Sequence, residues 1–320
     1  MKILVAGGAG YVGSPLCRIL WEAGHEVTVL DSLCFGGESL LPLLPQPRFR
    51  LVAGDIRDER LLAEVMPGHD TVCLLAAIVG EPACNRDREL AVDVNRHGSS
   101  RVLAAARAAG VGRFLFFSTC SNYGATDPAQ LVTEEAPLQP ISTYAETKVA
   151  AEEEVLAAHS ADFCPTVLRL STAFGVSPRM RFDLLVSDFT LAAMREGKLV
   201  IYGEQFWRPF VHVADVAETV QTVLAADQSV VGGEVFNVGR DDNNVQKMTL
   251  AQIVAEHVPG TTIETVQRDT DPRSYRVSFA KLREKLGGEL KWTVPRGVEE
   301  VHRALQAGIW RDPTEPRFHN

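Results

Sequence analysis

Short apolar runs alternate with longer amphipathic runs through the first half of the chain. Apolar residues spaced three or four apart predict helices, and short apolar runs between polar residues predict buried strands. The predicted strands are residues 2–6, 26–31, 49–53, 71–76, 113–118 and 165–170. The predicted helices between them are residues 14–23, 58–65, 91–109 and 143–159. Uniformly apolar strands that alternate with helices indicate an α/β fold with a parallel sheet covered on both faces.

This pattern changes beyond residue 178. Helices are predicted near 184–196 and 215–226, and the segments around them are short and broken by proline and glycine. We therefore predict two domains, a sheet domain in residues 1–178 and a smaller α/β substrate-binding domain in residues 179–320. The second domain is expected at the carboxyl edge of the sheet, where ligands bind in doubly wound folds. The pattern leaves open whether residues 215–239 pack back on the first domain.

Composition narrows the function classes. The 320 residues carry a formal net charge of -9, which argues against a broad surface for nucleic acid or an anionic membrane. The six cysteines form no C-x-x-C pair and have no histidine companion at metal-ligand spacing, as expected for reduced thiols in a cytoplasmic protein without a metal. No apolar run approaches the ~20 residues that span a bilayer. We expect no nucleic-acid partner and no membrane partner.

A glycine-rich segment follows the first predicted strand. Gly7, Gly10 and Gly13 allow a tight turn and a close approach of backbone N–H groups to a diphosphate at the start of the next helix. The alternative is a glycine-rich turn without a ligand, but the strand–loop–helix context favours a dinucleotide. Asp31, at the end of the second strand, would accept hydrogen bonds from ribose hydroxyls and repel a 2′-phosphate, which favours NAD over NADP.

A tyrosine and a lysine lie one helical turn apart after the fifth strand. Positions i and i+4 share a helix face, so Tyr144 and Lys148 point the same way. A nearby ammonium is expected to lower the pKa of the phenol and make it a general base. Thr119, at the end of the fifth strand, is the candidate to hold the substrate oxygen. The alternative for the pair is a contact on the helix surface.

Together these features resemble a known family. The glycine loop, Asp31, Asp55, residues 118–124 (STCSNYG) and residues 144–148 (YAETK) are similar to the extended short-chain dehydrogenase/reductase family, in its nucleotide-sugar epimerase/dehydratase branch. The resemblance continues over nearly the whole chain with Asn95 and residues 168–175, 208–215 and 236–239. It implies a Rossmann-type sheet domain and NAD as cofactor. Residues 77–84 and 177–190 look most like a subgroup that includes enzymes of nucleotide-linked heptoses.

The resemblance implies site residues at matching positions. Tyr144, Lys148 and Thr119 match the catalytic triad, and two arginines match residues that clamp the nucleotide diphosphate. The cofactor-binding candidates are Gly7, Gly10, Tyr11, Val12, Gly13, Asp31, Ser32, Asp55, Ile56, Leu75, Ala76, Ala77, Asn95, Tyr144 and Lys148. The substrate-binding candidates are Val79, Ser121, Thr172, Arg181, Arg208, Arg268 and Arg273. Arg208 and Arg268 are the two clamping arginines, whereas Arg179, Arg181 and Arg273 are equally compatible with surface charges.

Departures from the family pattern limit the reaction. The 4,6-dehydratases carry Asp-Glu directly after the catalytic threonine, and this chain has Cys120-Ser121. These two residues do not form a competent acid/base pair at neutral pH, so dehydration of a sugar is disfavoured. We interpret Cys120 as a packing thiol. Thr172 stands where many 4-epimerases have a substrate-binding asparagine, which leaves the sugar open.

The resemblance implies NAD-dependent epimerisation of a nucleotide-diphosphate sugar at C4 through a transient 4-keto intermediate. The alternatives are a 4-dehydrogenase/ketoreductase that releases the keto sugar, with a heptose among its candidate sugars, and a non-catalytic NAD-binding sensor. Alanine-rich faces on residues 91–109 and 143–159 match the helices that build a four-helix dimer interface in the family. A homodimer is therefore expected, with a monomer as the alternative.

Overall fold

A computed structural model gives the placement of residues 1–127, 129–267 and 274–320. Its strands are β1 (Lys2–Ala6), β2 (Glu26–Asp31), β3 (Phe49–Ala53), β4 (Thr71–Leu74), β5 (Arg113–Thr119), β6 (Leu131–Val132), β7 (Cys164–Leu170), β8 (Thr172–Phe174), β9 (Lys198–Tyr202), β10 (Trp207–His212), β11 (Glu234–Val238), β12 (Asn244–Gln246), β13 (Thr262–Val266) and β14 (Arg276–Val277). Its α-helices are α1 (Gly13–Glu22), α2 (Glu59–Val65), α3 (Glu81–Arg86), α4 (Arg88–Val92), α5 (Ser99–Ala108), α6 (Thr143–Ala157), α7 (Leu185–Glu196), α8 (Val213–Ala225), α9 (Gln228–Val231), α10 (Lys247–His257), α11 (Ala280–Leu286) and α12 (Val294–Gln306). None of these helices is long and apolar enough to cross a membrane.

The central sheet has seven strands, all parallel, in the order β11-β7-β5-β4-β1-β2-β3. Successive side chains of β1 alternate between two buried layers: Ile3 and Val5 belong to the core that includes α1 and α8, and Leu4 belongs to the core that includes α2, α5 and α6. Burial on both faces explains why these strands are apolar throughout. The predicted doubly wound α/β class is confirmed.

Residues 215–239 return to this sheet. Strand β11 pairs in parallel with β7, from Glu234 beside Thr166 to Val238 beside Leu170. Helix α8 contributes Val216 and Val220 to the same core as Leu16 of α1. The sheet therefore takes its last strand from a part of the sequence that lies well beyond β8. This arrangement joins the early and late parts of the chain in one core.

A second, smaller assembly lies at the carboxyl edge of the sheet. Strand β10 pairs in parallel with β8 and in antiparallel fashion with β12, while β9 pairs with β13 and β6 with β14. Its core contains Phe174 and Phe210, whose rings meet edge to face with centroids 6.4 Å apart, packed with apolar residues of α7, α10 and α12. Because β8 follows β7 almost directly, the two assemblies are connected at the edge where ligands are expected.

The helix predicted over residues 91–109 differs from the structure. Helix α4 begins at Arg88, three residues earlier, and a π-helical turn over Asp93–Gly98 separates it from α5. Within that turn Asn95 is fully buried, and its side chain accepts a hydrogen bond from the Ile78 N–H (2.7 Å) and donates one to the Ile78 carbonyl (2.9 Å). A wider turn directs one side chain inward without breaking the apolar periodicity, so the sequence pattern does not reveal it.

The strand predicted over residues 71–76 ends two residues early, at Leu74. The reason is that the N–H groups of Leu75 and Ala76 both donate to the carbonyl of Ala6, each at 2.9 Å. The backbone therefore turns away from the ladder at this point. The chain leaves the sheet beside the glycine loop that follows β1.

An ion pair in the interior joins α6 to the sheet. Nε of Arg169, on β7, donates to Oε1 of Glu152, on α6, at 3.0 Å, and both side chains are less than a tenth exposed. Glu152 also accepts the Ser118 hydroxyl at 2.6 Å. Arg169 also donates to the hydroxyl of Tyr123 (2.8 Å) and the carbonyl of Glu134 (3.0 Å). A buried pair whose remaining atoms are also hydrogen-bonded fixes the geometry of the elements that carry it.

Replacing Arg169 by methionine should strongly destabilise the chain, because it leaves the carboxylate of Glu152 buried without its counter-ion. We expect a loss of about 3–5 kcal/mol in the free energy of unfolding, measured by urea denaturation. The matched control is Arg18→Met, which breaks the exposed i,i+4 pair with Glu22 and should cost less than ~1 kcal/mol. Equal, small losses for the two variants would contradict the importance of the buried pair.

Candidate active site

The glycine loop after β1 forms a tight cradle at the start of α1. Gly7 has a φ of +89°, and a Cβ there would lie 2.6 Å from the backbone nitrogen of Ala76. A Cβ on Gly13 would overlap the carbonyl oxygen of Gly7. Helix α1 begins at Gly13 without a side-chain cap from Val12, so its first N–H groups suit an anionic ligand. The cradle therefore fits the diphosphate of a dinucleotide.

Asp31 lies beside this cradle, at the end of β2. Its two carboxylate oxygens accept the N–H groups of Ala9 and Leu33, each at 2.9 Å, which fixes the carboxylate. The carboxylate retains acceptor capacity for ribose hydroxyls, because each oxygen can accept a second hydrogen bond. Ser32, next in the chain, is exposed at the rim, and Leu75, Ala76 and Ala77 are half-buried beside the loop.

Three other cofactor candidates already have partners in the protein. Nη2 of Arg57 lies 2.7 Å from Oδ2 of Asp55, and this guanidinium holds the pKa of the Asp55 carboxyl below its usual range. Ile56 is buried, and Asn95 is held by the backbone of Ile78. A direct contact between these residues and the adenine or nicotinamide end stays a prediction.

The Tyr144, Lys148 and Thr119 side chains meet at the carboxyl edge of the sheet. Thr119 is the last residue of β5, and its hydroxyl accepts the N–H of Ser121 at 3.1 Å and interacts electrostatically with the phenol of Tyr144. Helix α6 begins beside it, capped by Ser142, whose hydroxyl accepts the N–H of Ala145 at 3.2 Å. Tyr144 is partly exposed, whereas Lys148 is 2% exposed with its ammonium 4.3 Å from the ring centre of Phe116. The pair is therefore not a contact on an outer helix surface.

The pKa of Tyr144 does not follow the expectation from the sequence. Burial raises the pKa of its phenol well above 10, and the Arg181 guanidinium and the Thr119 hydroxyl only partly oppose that rise. Burial also lowers the pKa of Lys148 to about 7, against the opposing effect of the Glu152 carboxylate. The expected lowering of the tyrosine pKa by a lysine ammonium is thus wrong for the chain alone, because desolvation outweighs it.

Two residues that sequence reasoning missed lie beside Lys148. Glu152 is one turn further along α6, and its charge favours the ammonium of Lys148. Cys84, on α3, donates its thiol to the carbonyl of Ile78 at 3.3 Å and interacts electrostatically with Tyr144 and Lys148. The i+4 spacing could have revealed Glu152. No local pattern reveals Cys84, because it belongs to a different helix.

Cys120 directly follows Thr119, but its surroundings make it unsuitable as an acid or a base. It is fully buried, and its thiol donates to the carbonyl of Arg169 at 3.2 Å. Burial raises the pKa of this thiol to about 12. These observations agree with its interpretation as a packing thiol.

Arg208 and Ser121 both lie near Tyr275. The Ser121 hydroxyl is 3.4 Å from the Tyr275 hydroxyl, and the Arg208 guanidinium is 5.9 Å from the centre of the Tyr275 ring. Tyr275 also interacts electrostatically with Tyr144. Thr172 of β8 pairs with Phe210, two residues along β10 from Arg208. Tyr275 had no signal in the sequence, because it belongs to no recognised motif.

The two arginines at 179 and 181 are interior residues, so their interpretation as surface charges is wrong. Arg179 is 7% exposed and Arg181 is 8% exposed. Nε of Arg181 donates to Oδ1 of Asp183 at 3.0 Å. The carbonyl of Val79 accepts a hydrogen bond from the side-chain amide of Asn320 at 3.3 Å near the same segment.

Arg268 and Arg273 lie outside the described residues. Among the described residues, no cluster of histidine, cysteine or carboxylate side chains could hold a metal ion.

Comparisons with known proteins agree with this site. The model of the NAD dependent epimerase/dehydratase family matches residues 3–239. A dTDP-glucose 4,6-dehydratase from Streptomyces niveus is 30% identical over 98% of this chain and 95% of its own length. A UDP-glucose 4-epimerase from Corynebacterium glutamicum is 29% identical over 97% of each chain.

Solved structures give the same result. The dTDP-glucose 4,6-dehydratase from Streptomyces venezuelae, with NAD bound, is 28% identical and superposes with a TM-score of 0.86 over 99% of this chain and 100% of its own. The UDP-glucose 4-epimerase from Thermotoga maritima, with UDP-glucose, is 27% identical with a TM-score of 0.85 over 97% of this chain and 100% of its own.

The solved structures cover both assemblies, and the range matched by the family model, residues 3–239, contains the segments of the glycine cradle and of Tyr144 and Lys148. The cofactor is NAD, because the family depends on it and relatives are solved with it bound. The chain belongs to the NAD-dependent epimerase/dehydratase family of nucleotide-sugar enzymes.

Proposed function

We propose that this chain is a 4-epimerase of a nucleotide-diphosphate sugar that works through a transient 4-keto intermediate. The observation that carries the proposal is the meeting of Tyr144, Lys148 and Thr119 beside the cofactor cradle, with a buried packing thiol directly after Thr119. Dehydration would require an acid/base pair at positions 120 and 121. The Cys120 thiol, with its pKa raised to about 12, and the Ser121 hydroxyl do not provide one.

The proton handling falls to Tyr144 and Lys148. Tyr144 removes the proton from the sugar hydroxyl at C4, and Thr119 hydrogen-bonds the oxygen that becomes the ketone. Lys148 gains or loses the compensating proton, because its pKa near 7 matches working pH. NAD⁺, held by the glycine cradle, would supply the acceptor for the hydride of the same carbon. After the keto sugar turns over, Tyr144 returns the proton to the oxygen at C4, and the reduced cofactor would supply the hydride to the opposite face of that carbon.

The diphosphate of the substrate is assigned to the arginines of the second assembly. Arg208 is buried on β10 beside Tyr275, and a guanidinium is the natural bidentate partner of a phosphate. Arg268, Arg273 and Arg181 remain candidates for the same nucleotide sugar, with Val79, Ser121 and Thr172 for the sugar ring. Relatives of this chain are named for UDP- and dTDP-sugars, which supports a nucleotide sugar as the substrate class.

The second candidate function is a 4-dehydrogenase/ketoreductase that releases the keto sugar. It uses the same three residues, and the difference lies in whether the reduced cofactor stays bound. A non-catalytic sensor is disfavoured, because the chain retains both the tyrosine and the buried lysine that hydride chemistry requires.

Incubation with a panel of UDP-, GDP-, ADP-, CDP- and dTDP-sugars, with and without added NAD⁺, tests the function. We expect one of these sugars to give the C4 epimer, detected by NMR. The absorbance at the wavelength where the reduced cofactor absorbs should show no net increase. Tyr144→Phe should lower the turnover at least about 100-fold, because general acid–base catalysis contributes that much. Growth of reduced cofactor with release of a keto sugar would favour the dehydrogenase, and no reaction or binding would overturn the substrate class.

The pH dependence should reveal the Tyr144–Lys148 pair as one titrating unit. At low pH the pair consists of a neutral phenol and an ammonium, and it loses one proton with a pKa of about 7. The state that remains can be the neutral pair or the phenolate–ammonium form, because both hold the same number of protons. The phenolate is therefore available only after that proton has left. We therefore expect kcat/KM to fall about tenfold per pH unit below pH 7. Glu152→Gln removes the carboxylate that raises the pKa of Lys148, so the midpoint should move to lower pH.

The control for that shift is Glu153→Gln, at the neighbouring exposed position of the same helix. Its pH profile should match that of the parent protein under identical substrate and cofactor conditions. A midpoint in Glu152→Gln that equals or exceeds the parent value would contradict the electrostatic coupling.

We also propose a cytoplasmic homodimer that packs α5 and α6 of two copies into a four-helix bundle. Helices α5 and α6 lie side by side, and their outer faces carry exposed small residues such as Ala104, Ala108 and Ala157, which permit close helix approach. Six free thiols support a reducing compartment. Light scattering at micromolar concentration should give twice the mass of 34.9 kDa, whereas a monomer mass would contradict the dimer.

A further inference from the structure

Arg179 is a buried cation that reaches from the segment after β8 toward the glycine loop. Its side chain is 7% exposed, and its guanidinium lies 4.1 Å from the ring centre of Phe35, in the loop that follows β2 and Asp31. One of its terminal nitrogens donates to the side-chain oxygen of Asn320 at 2.7 Å. The arginine is therefore held between two parts of the chain that are distant in sequence.

Arg179 has no counter-ion in contact with it within residues 1–127, 129–267 and 274–320. Among the described residues, no carboxylate lies within ion-pair distance of it, and its Nε is buried without a hydrogen-bond partner. Burial and the neighbouring Arg181 lower the pKa of its guanidinium to about 10. Arg181 and Arg169 differ, since Arg181 is paired with Asp183 and Arg169 with Glu152. Burying a cation with an unused hydrogen-bond donor costs free energy of folding unless an anion pairs with it.

The position of Arg179 indicates which anion that is. The segment that carries it is fastened to the glycine loop: the Tyr11 hydroxyl donates to the Gly175 carbonyl at 2.7 Å, and the Ser177 hydroxyl donates to the Tyr11 carbonyl at 2.8 Å. Asp31 is among the charges that act on Arg179. The glycine cradle, Asp31 and the loop with Phe35 all belong to the cofactor side of the site.

We propose that Arg179 pairs with the diphosphate of the bound dinucleotide, so that the cofactor itself joins the second assembly to the glycine loop. The shared chemistry, a diphosphate, also occurs in the nucleotide sugar, but Arg208 lies on β10, beside Tyr275. A dinucleotide held from both sides leaves only after the contacts of Arg179 break. The arrangement therefore favours retention of the reduced cofactor, which the proposed epimerisation requires. The pairing itself rests on the cofactor and not on the choice of reaction.

Calorimetric titration of nucleotide-free protein with NAD⁺, ADP-ribose and UDP tests this pairing. Arg179→Gln should weaken NAD⁺ and ADP-ribose binding at least about tenfold, as expected for the loss of a charge-assisted hydrogen bond, and leave UDP binding unchanged. Arg179→Lys keeps the charge and should lose less than Arg179→Gln. The dissociation rate of NADH, followed by its fluorescence, should rise in the same order.

The matched control is Arg195→Gln, at an exposed position near the end of α7, which should bind all three ligands like the parent protein. Thermal unfolding without nucleotide checks the fold of each variant. An unchanged NAD⁺ affinity in Arg179→Gln overturns the proposal, and so does a loss confined to UDP, which would assign Arg179 to the substrate. Equal losses for all three ligands, with a lower unfolding temperature, would show a purely structural role. If Arg179→Gln does not fold, Arg179→Lys decides alone: weaker NAD⁺ with unchanged UDP supports the pairing, and parent-like NAD⁺ and NADH kinetics count against it.

Discussion

The buried carboxylate of Glu152 is the contact on which the geometry of the site depends. It joins three elements at once, because it lies on α6, accepts the Ser118 hydroxyl from β5 and pairs with Arg169 of β7. Ser118 directly precedes Thr119, and Lys148 is one turn before Glu152 on the same helix. The relative placement of Thr119 and Lys148 is thus fixed through one charged group. Such a network is stable only when all its members are satisfied.

A hydrogen-bond network also fixes the segment that follows β8. His212 of β10 lies 2.9 Å from Glu300 of α12, and the same carboxylate oxygen accepts the N–H of Val176, just after β8. The His212 ring also stacks on Trp292, with centroids 3.9 Å apart. These contacts fix the segment that carries Arg179 and Arg181 where it crosses from one assembly to the other.

Local patterns were sufficient to predict much of this architecture. The predicted strands 2–6, 26–31 and 49–53 match β1 to β3. Strand β1 is apolar from Ile3 to Ala6 because it is buried on both faces, whereas β3 is a partly exposed edge strand. The Tyr144–Lys148 spacing placed both residues on one face because helix geometry is local. The π-helical turn at Asp93–Gly98, the early end of β4, Tyr275 and the burial of Arg179 were not predictable in this way. Each of them depends on a partner far away in the sequence.

The pKa values show why the arrangement suits a reversible reaction. Burial favours a neutral phenol at Tyr144 and a neutral amine at Lys148 above pH 7, and this neutral pair holds as many protons as the phenolate–ammonium form. A proton can therefore be taken from a hydroxyl and returned to it without exchange with solvent, which an epimerase needs twice in each cycle. A dehydratase needs a further acid and base, and the position after Thr119 holds a thiol bonded to a backbone carbonyl. What separates epimerisation from net oxidation is then the time for which the cofactor stays bound. The proposed pairing of Arg179 with the dinucleotide would lengthen that time, whereas the Tyr144–Lys148 pair would serve either reaction.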